Sequence, residues 1–193
     1  TTKGELVKEI ACTESCSSGE TLTYKYADWF LVVGVNYSFD YTVNVSTAVT
    51  VMDLDIFEQK LLNNEIRPEP AESRYSGGPV QLSLWVQKQP LRDAEESFAR
   101  FSIINNGKGV IDAGSRLRMV LPSQFGSQPS IIAAQLMTCG NFVTEGSNYV
   151  AECTVNVPLS RTSTIPNILV SFMYDIPDDV TEKSTILTGS LAY

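Results

Sequence analysis

Alternating apolar and polar side chains between residues 77 and 123 limit this chain to a fold built from half-buried β-strands. After a Gly-Gly-Pro turn, the apolar positions of the first run are Val80, Leu82, Leu84 and Val86. A second run begins at residue 98 and ends at Asn-Asn-Gly-Lys-Gly, and a third ends at Leu121-Pro122. Because successive side chains of a strand point to opposite faces, a period of two marks strands with one face in a core.

Turn signals divide the C-terminal part of the chain into seven predicted strands. These strands cover residues 80–88, 97–104, 116–121, 130–139, 149–158, 168–175 and 184–192. Signals for helices are almost absent from this part. Seven short strands in a little over a hundred residues are typical of an antiparallel β-sandwich.

The N-terminal part also contains strand patterns and one ambiguous segment. Residues 41–51 are dense in β-branched side chains, which favour pleated surfaces, whereas residues 54–63 fit a short amphipathic helix or an irregular segment. Three prolines and two glycines fall between residues 63 and 79. We predict an N-terminal β unit at 1–66, a Pro/Gly linker at 67–79 and a β-sandwich at 80–193. The alternative is an ordered crossover at 67–79 within one folded unit.

The composition argues against several functions. The chain has no histidine, which excludes Ser-His-Asp and Cys-His catalysis within it and removes the usual zinc ligand. A net charge of −8 without a basic cluster argues against nucleic-acid binding. No apolar run is long enough for a membrane span, and the sequence carries no signal peptide. We predict a protein that is not an enzyme and has no cofactor and no metal.

Acidic residues cluster at three places, and we interpret each cluster as a solvated loop. The clusters are Asp53 with Asp55, Asp93 with Glu95 and Glu96, and Asp175 with Asp178 and Asp179. Calcium sites and paired glycosidase carboxylates are the functional alternatives.

The four cysteines are Cys12, Cys16, Cys139 and Cys153. Folding a hairpin at the Glu-Gly-Ser-Asn turn puts Cys139 opposite Cys153, where directly opposed Cβ atoms lie roughly 4.5–5.5 Å apart. Cys12 and Cys16 flank a short turn. The spacing favours two local disulfides, which imply an oxidising, extracytoplasmic compartment or the interior of a hyperthermophile. A four-cysteine metal site and free buried thiols are the alternatives.

Residues 77–123 resemble a known module. The runs Val80-x-Leu82-x-Leu84-x-Val86 and Phe101-x-Ile103-x-Asn105-x-Gly107-x-Gly109 resemble the strand pair and Asn-x-Gly-x-Gly turn of adhesion-related immunoglobulin-like domains in prokaryotic surface proteins. The preceding segment, which ends in Gly-Gly-Pro-Val, is similar to small secreted or envelope proteins of archaea that carry such a domain. The resemblance implies an all-β fold of one or two immunoglobulin-like units and a location at the cell surface. It implies no catalytic residues.

Three further features bear on function. Asn36 and Asn44 each begin an Asn-x-Ser sequon and are candidate glycosylation sites. Trp85 falls among the polar positions of its strand, and we predict that it contacts the N-terminal unit or a neighbouring subunit. Both ends of the chain are strand-like, so we predict that one end is exchanged between molecules. The favoured exchange segment is Thr1, Thr2, Lys3, Gly4, Glu5, Leu6, Val7, Lys8, Glu9 and Ile10.

The sequence therefore favours a structural subunit of an extracellular filament or surface coat that binds copies of itself head to tail. The alternative is an adhesin or a carbohydrate- or protein-binding module of a larger cell-envelope protein.

Overall fold

The computed structural model describes residues 21–23, 32–34, 38, 40–76, 78–124, 127–160 and 167–193. The chain divides into two compact units, Thr1–Tyr41 and Thr42–Tyr193. In the first unit, strand β1 (Thr21–Thr23) pairs antiparallel with strand β2 (Val32–Gly34).

The described residues of the second unit form one short helix and twelve strands. In chain order they are β3 (Thr42–Met52), α1 (Leu54–Leu62), β4 (Glu69–Ser76), β5 (Val80–Gln89), β6 (Leu91–Arg92), β7 (Ser97–Asn105), β8 (Arg116–Pro122), β9 (Ser127–Ala133), β10 (Met137–Cys139), β11 (Val143–Glu145), β12 (Asn148–Val155), β13 (Asn167–Met173) and β14 (Glu182–Ala192).

The strands form two sheets that pack face to face. The smaller sheet is antiparallel, in the order β4-β5-β7-β13-β9. The larger sheet has the order β10-β12-β8-β14-β3-β6, and β11 also pairs with β12. Strands β3 and β14 lie over β4 and β5 of the smaller sheet. The prediction of an all-β, two-sheet fold is confirmed.

The apolar positions of the period-two pattern meet between the sheets. Leu82, Leu84 and Phe101 of the smaller sheet are fully buried, and so are Val43 and Val49 of β3. Burial of large apolar side chains is the dominant favourable term in folding. The alternation therefore identifies the inner faces correctly.

Gly189 lies in the middle of β14 because the opposite sheet leaves no room for a side chain there. A Cβ atom at this position would lie 2.6 Å from Cε1 of Phe101, whose ring is itself fully buried. A glycine within a strand often marks such a close approach. The contact fixes how closely β14 and β7 pack.

The predicted domain boundaries at residues 66 and 79 do not match the division of the structure. Strand β3 pairs along its whole length with β14, from Thr42 opposite Ala192 to Met52 opposite Glu182. Within the predicted linker, Glu69–Ser76 forms β4 and pairs with β5, so this part is an ordered strand of the sandwich and not a linker. Its Pro70 is compatible with a strand because β4 lies at the edge of its sheet, where a missing N–H group is tolerated.

The structure resolves the ambiguous segment at 54–63 and corrects the strand predicted at 130–139. Residues 54–62 are helical, and the side chain of Asp53 caps the helix by accepting from the backbone N–H of Asp55 at 3.0 Å. The single strand predicted at 130–139 is two strands in different sheets. The chain crosses between the sheets near Leu136, which has a positive φ of 60°.

Candidate assembly edge

Within the part of the chain that the structure describes, the outer edge of β3 is open over most of its length. One side of β3 is fully paired with β14. On the other side, β6 pairs only with Val51 and Met52. Among the residues that the structure describes, no strand pairs with this side of residues 42–48.

The hydrogen bonds of Thr50 and Met52 show which backbone groups point toward the open side. The N–H of Thr50 donates to Gln89, and the C=O of Met52 accepts from Asp93, so both face away from β14. In an antiparallel ladder, each residue directs its N–H and C=O to the same side, and the side alternates along the strand. Thr42, Asn44 and Ser46 therefore direct both backbone groups outward. The open edge presents donors and acceptors ready for another strand.

The side chain of Gln89 covers the end of this edge. Its Oε1 accepts from the N–H of Thr50 at 3.0 Å, and its Nε2 donates to the C=O of Ala48 at 3.3 Å. Gln89 is the last residue of β5, so the smaller sheet supplies the group that pairs here. Nothing in the sequence around Gln89 predicts this role.

Exposed side chains along the open edge are small and uncharged. They are Thr42, Asn44, Ser46 and Ala48. They stand on the outer face of the larger sheet, and their cross-strand neighbours on β14 are Ala192, Ser190, Thr188 and Ile186. The stretch has no lysine or proline, and the β3–β14 register is regular. Natural proteins use charges, prolines and bulges to protect edges, so the open edge of β3 lacks the usual protection.

Strand β4, at the edge of the smaller sheet on the same side of the sandwich, carries these protective features. It contains Pro70 and a register shift between Pro70 and Ala71. Arg74 also forms an exposed ion pair with Glu72, with Nε and Oε1 2.9 Å apart. The hydrogen bond from Arg74 lowers the pKa of the Glu72 carboxyl. Of these two neighbouring edges, β3 is therefore the one that lacks the protective features.

A cleft of about 510 Å³ lies on the opposite side of the sandwich, between β9 and the segment that joins β10 to β11. Ile131 and Ile132 of β9 line one wall, and Cys139 and Phe142 line the other. The side chain of Gln128 bridges the walls by donating to the C=O of Phe142. The cleft contains no cluster of charged groups.

The predicted disulfide between Cys139 and Cys153 is confirmed. The two residues are directly paired on β10 and β12, with Cα atoms 3.9 Å apart. The bond holds the three-residue strand β10 against the larger sheet. The other predicted pair, Cys12 with Cys16, lies outside the described residues.

The structure places two of the other predicted site residues, Asn44 and Trp85. Asn44 is exposed on β3. Trp85 is half-buried on the outer face of the smaller sheet, where the Arg100 guanidinium lies 5.1 Å from its ring centre. Its predicted contact with the N-terminal unit or a neighbour stays a prediction. Asn36 and the exchange segment, residues 1–10, lie outside the described residues.

Several acidic side chains have roles within the fold. Asp53 caps α1, Asp93 accepts from the N–H of Ile176 at 2.8 Å, and Glu96 accepts from the hydroxyl of Ser171 at 2.6 Å. Within the described ranges, no group of three or more histidine, cysteine or acidic residues is placed to hold a metal ion. No described helix is long and apolar enough to cross a membrane.

Comparisons with protein-family models, with curated proteins and with solved structures found no match. The functional interpretation of the open edge therefore depends on its geometry.

Proposed function

We propose that the protein is a structural subunit of an extracellular, pilus-like filament or surface coat, assembled by β-strand exchange and sandwich packing. The observation that carries this proposal is the open edge of β3 at residues 42–48. Main-chain hydrogen bonds to an exposed edge supply the affinity in strand-addition complexes. An edge that is both open and unprotected is suited to permanent occupation by a partner.

The donor in this proposal is residues 1–10 of a second copy. The first 41 residues belong to a separate compact unit, and β3 begins at the next residue of the chain. A donor segment and an acceptor edge at different places on one chain form a head-to-tail contact. Repetition of such a contact without closure produces a filament.

We infer further that the sandwich is immunoglobulin-like and works outside the cytoplasm. The Asn-x-Gly-x-Gly turn supports the fold, because the Asn105 side chain donates to the C=O groups of Gly109 and Leu159 and accepts from the N–H of Gly107. The Asn105 side chain thereby connects the turn to Leu159, which lies between β12 and β13. The Cys139–Cys153 disulfide supports the compartment, because disulfides persist mainly in oxidising environments.

Asn44 is the better supported of the two proposed glycosylation sites. Its side chain and that of Ser46 are both exposed, and its cross-strand neighbour Ser190 is small. A glycan here would project from the outer face and leave the backbone groups of the edge in the plane of the sheet. We expect mass spectrometry of protein from its native source to find a glycan on the peptide containing Asn44. An unmodified peptide would contradict this proposal.

Removing residues 1–10 is expected to convert an assembling protein into a monomer. Without the donor, each subunit keeps its acceptor edge but has no strand to give. The measurement is size-exclusion chromatography and electron microscopy of the refolded full chain and the shortened chain, at equal concentrations. A synthetic peptide of residues 1–10 should bind the shortened chain and should not restore polymers. Monomers from both chains would contradict the proposal.

The second candidate function is an adhesin or a binding module of a larger envelope protein. The cleft between β9 and the β10–β11 segment favours it, because clefts of roughly 300–1,000 Å³ are typical of ligand sites. A monomeric full chain that binds a carbohydrate through this cleft would favour this function over assembly. Substituting Gln128 by alanine should then weaken that binding.

A further inference from the structure

We infer that Gln89 ends the acceptor edge of β3 and thereby sets where an added strand must stop. This inference rests on the proposed strand exchange and adds a positioning residue to it. It concerns the extent of the contact between subunits, which the open edge alone leaves undefined.

The Gln89 carboxamide occupies the position of a peptide group from a neighbouring strand. A carboxamide offers an N–H donor and a C=O acceptor, as a backbone peptide does. Here it donates to the C=O of Ala48 and accepts from the N–H of Thr50, both on the outward side of β3. An added strand cannot bond to these two groups while the side chain of Gln89 holds them.

The chain that follows Gln89 continues the cover of this edge. Strand β6 runs parallel to β3, and its Leu91 pairs with Val51. The backbone N–H of Asp93 then donates to the C=O of Met52 at 2.9 Å. Residues 89–93 therefore cover β3 from the C=O of Ala48 onward, and Gln89 forms the boundary between the covered and open parts.

The length of the open part suits the proposed donor. Residues 42–48 extend over about 20 Å at roughly 3.3 Å per residue. An extended segment of residues 1–10 is longer than this, so the donor does not limit the contact. The boundary at Gln89 limits it.

Amide hydrogen exchange in the monomeric and assembled full chain tests this inference. In the wild-type monomer, the amide of Thr50 should exchange at least about tenfold more slowly than that of Ser46. The reason is that Thr50 donates to Gln89, whereas the N–H of Ser46 has no partner among the described residues. Assembly should slow the exchange of Asn44, Ser46 and Ala48 by at least a further tenfold. The polymer can be exchanged, dissolved in a quenching solvent and analysed by NMR.

The variant Gln89→Ala separates this inference from the proposed function. In its monomer, the amide of Thr50 should exchange about as fast as that of Ser46. In its polymer, Thr50 should become protected, because the added strand now extends past the former boundary. Gln89→Glu retains the acceptor for Thr50, so its monomer should keep the wild-type protection at that amide and serves as the matched control.

Two results would overturn the inference in different ways. If Ser46 is protected in the Gln89→Ala polymer while Thr50 still exchanges rapidly, something other than Gln89 stops the strand and the proposed function stands. If assembly protects none of the amides at 42–48 in the wild type, this edge of β3 is not the acceptor. The inference about Gln89, which depends on that assignment, is then also wrong. Failure of Gln89→Ala to fold leaves the wild-type comparison of Thr50 with Ser46 as the deciding measurement, and equal rates there contradict the inference.

Discussion

Replacing Ser46 by proline is expected to raise the protein concentration needed for assembly by about 100-fold while leaving the subunit folded. The N–H of Ser46 points away from β14, so proline removes no hydrogen bond of the β3–β14 ladder. Val45 precedes it in an extended conformation, which is the conformation favoured before proline. In the polymer, removal of the Ser46 N–H would leave a buried C=O group of the added strand without a hydrogen-bond donor. This costs up to about 3 kcal/mol, or about 100-fold in affinity.

Ser46→Ala is the matched control for this substitution. It removes the same hydroxyl and the same sequon but retains the backbone N–H, so it should assemble as the wild type does. Sedimentation across a concentration series gives the assembly threshold, and far-ultraviolet circular dichroism checks the fold of each variant. Equal thresholds for Ser46→Pro and Ser46→Ala would show that the edge of β3 takes no part in assembly.

Replacing both Cys139 and Cys153 by alanine is expected to reduce the free energy of unfolding by about 3 kcal/mol. The bond closes a loop with a sequence separation of 14, and constraint of the unfolded chain by a loop of this length contributes about that much. For a protein of this size, the midpoint of thermal unfolding should fall by roughly 6–12 °C. Urea unfolding followed by tryptophan fluorescence measures the change.

The double variant Cys12→Ala/Cys16→Ala is the control, because those residues belong to the other compact unit. It should leave the unfolding transition of residues 42–193 nearly unchanged. If the Cys139/Cys153 variant loses less than about 0.5 kcal/mol, the β10–β12 pairing is stable without the covalent bond and this expectation is wrong.

Local periodicity is enough to predict which faces of the strands are buried, but it does not identify their partners. The alternation at Val80–Gln89 and at Ser97–Asn105 places the core residues correctly, because the period depends only on the strand itself. The pairing of β3 with β14 joins segments at opposite ends of the second unit. No local pattern encodes that pairing, so the predicted boundary at residue 66 separates strands that belong to one sheet.

At the candidate site as well, the features that depend on neighbouring residues can be predicted, whereas the features that depend on distant strands cannot. The Cys139–Cys153 pair can be predicted because both residues belong to one hairpin. The exposure of Asn44 follows from the alternation within β3. An open edge, in contrast, is a property of strand order. The contacts of Gln89 depend on the packing of β5 beside β3, so neither feature can be predicted from the residues around it.

The structure of the assembled full chain, determined by electron cryomicroscopy, tests the central claim most directly. The predicted result is a strand from a second copy about 4.8 Å from β3. That strand should run beside residues 42–48 and end at Gln89. A polymer in which this edge of β3 has no neighbouring strand, or a full chain that stays monomeric at every concentration, would contradict assembly by strand exchange.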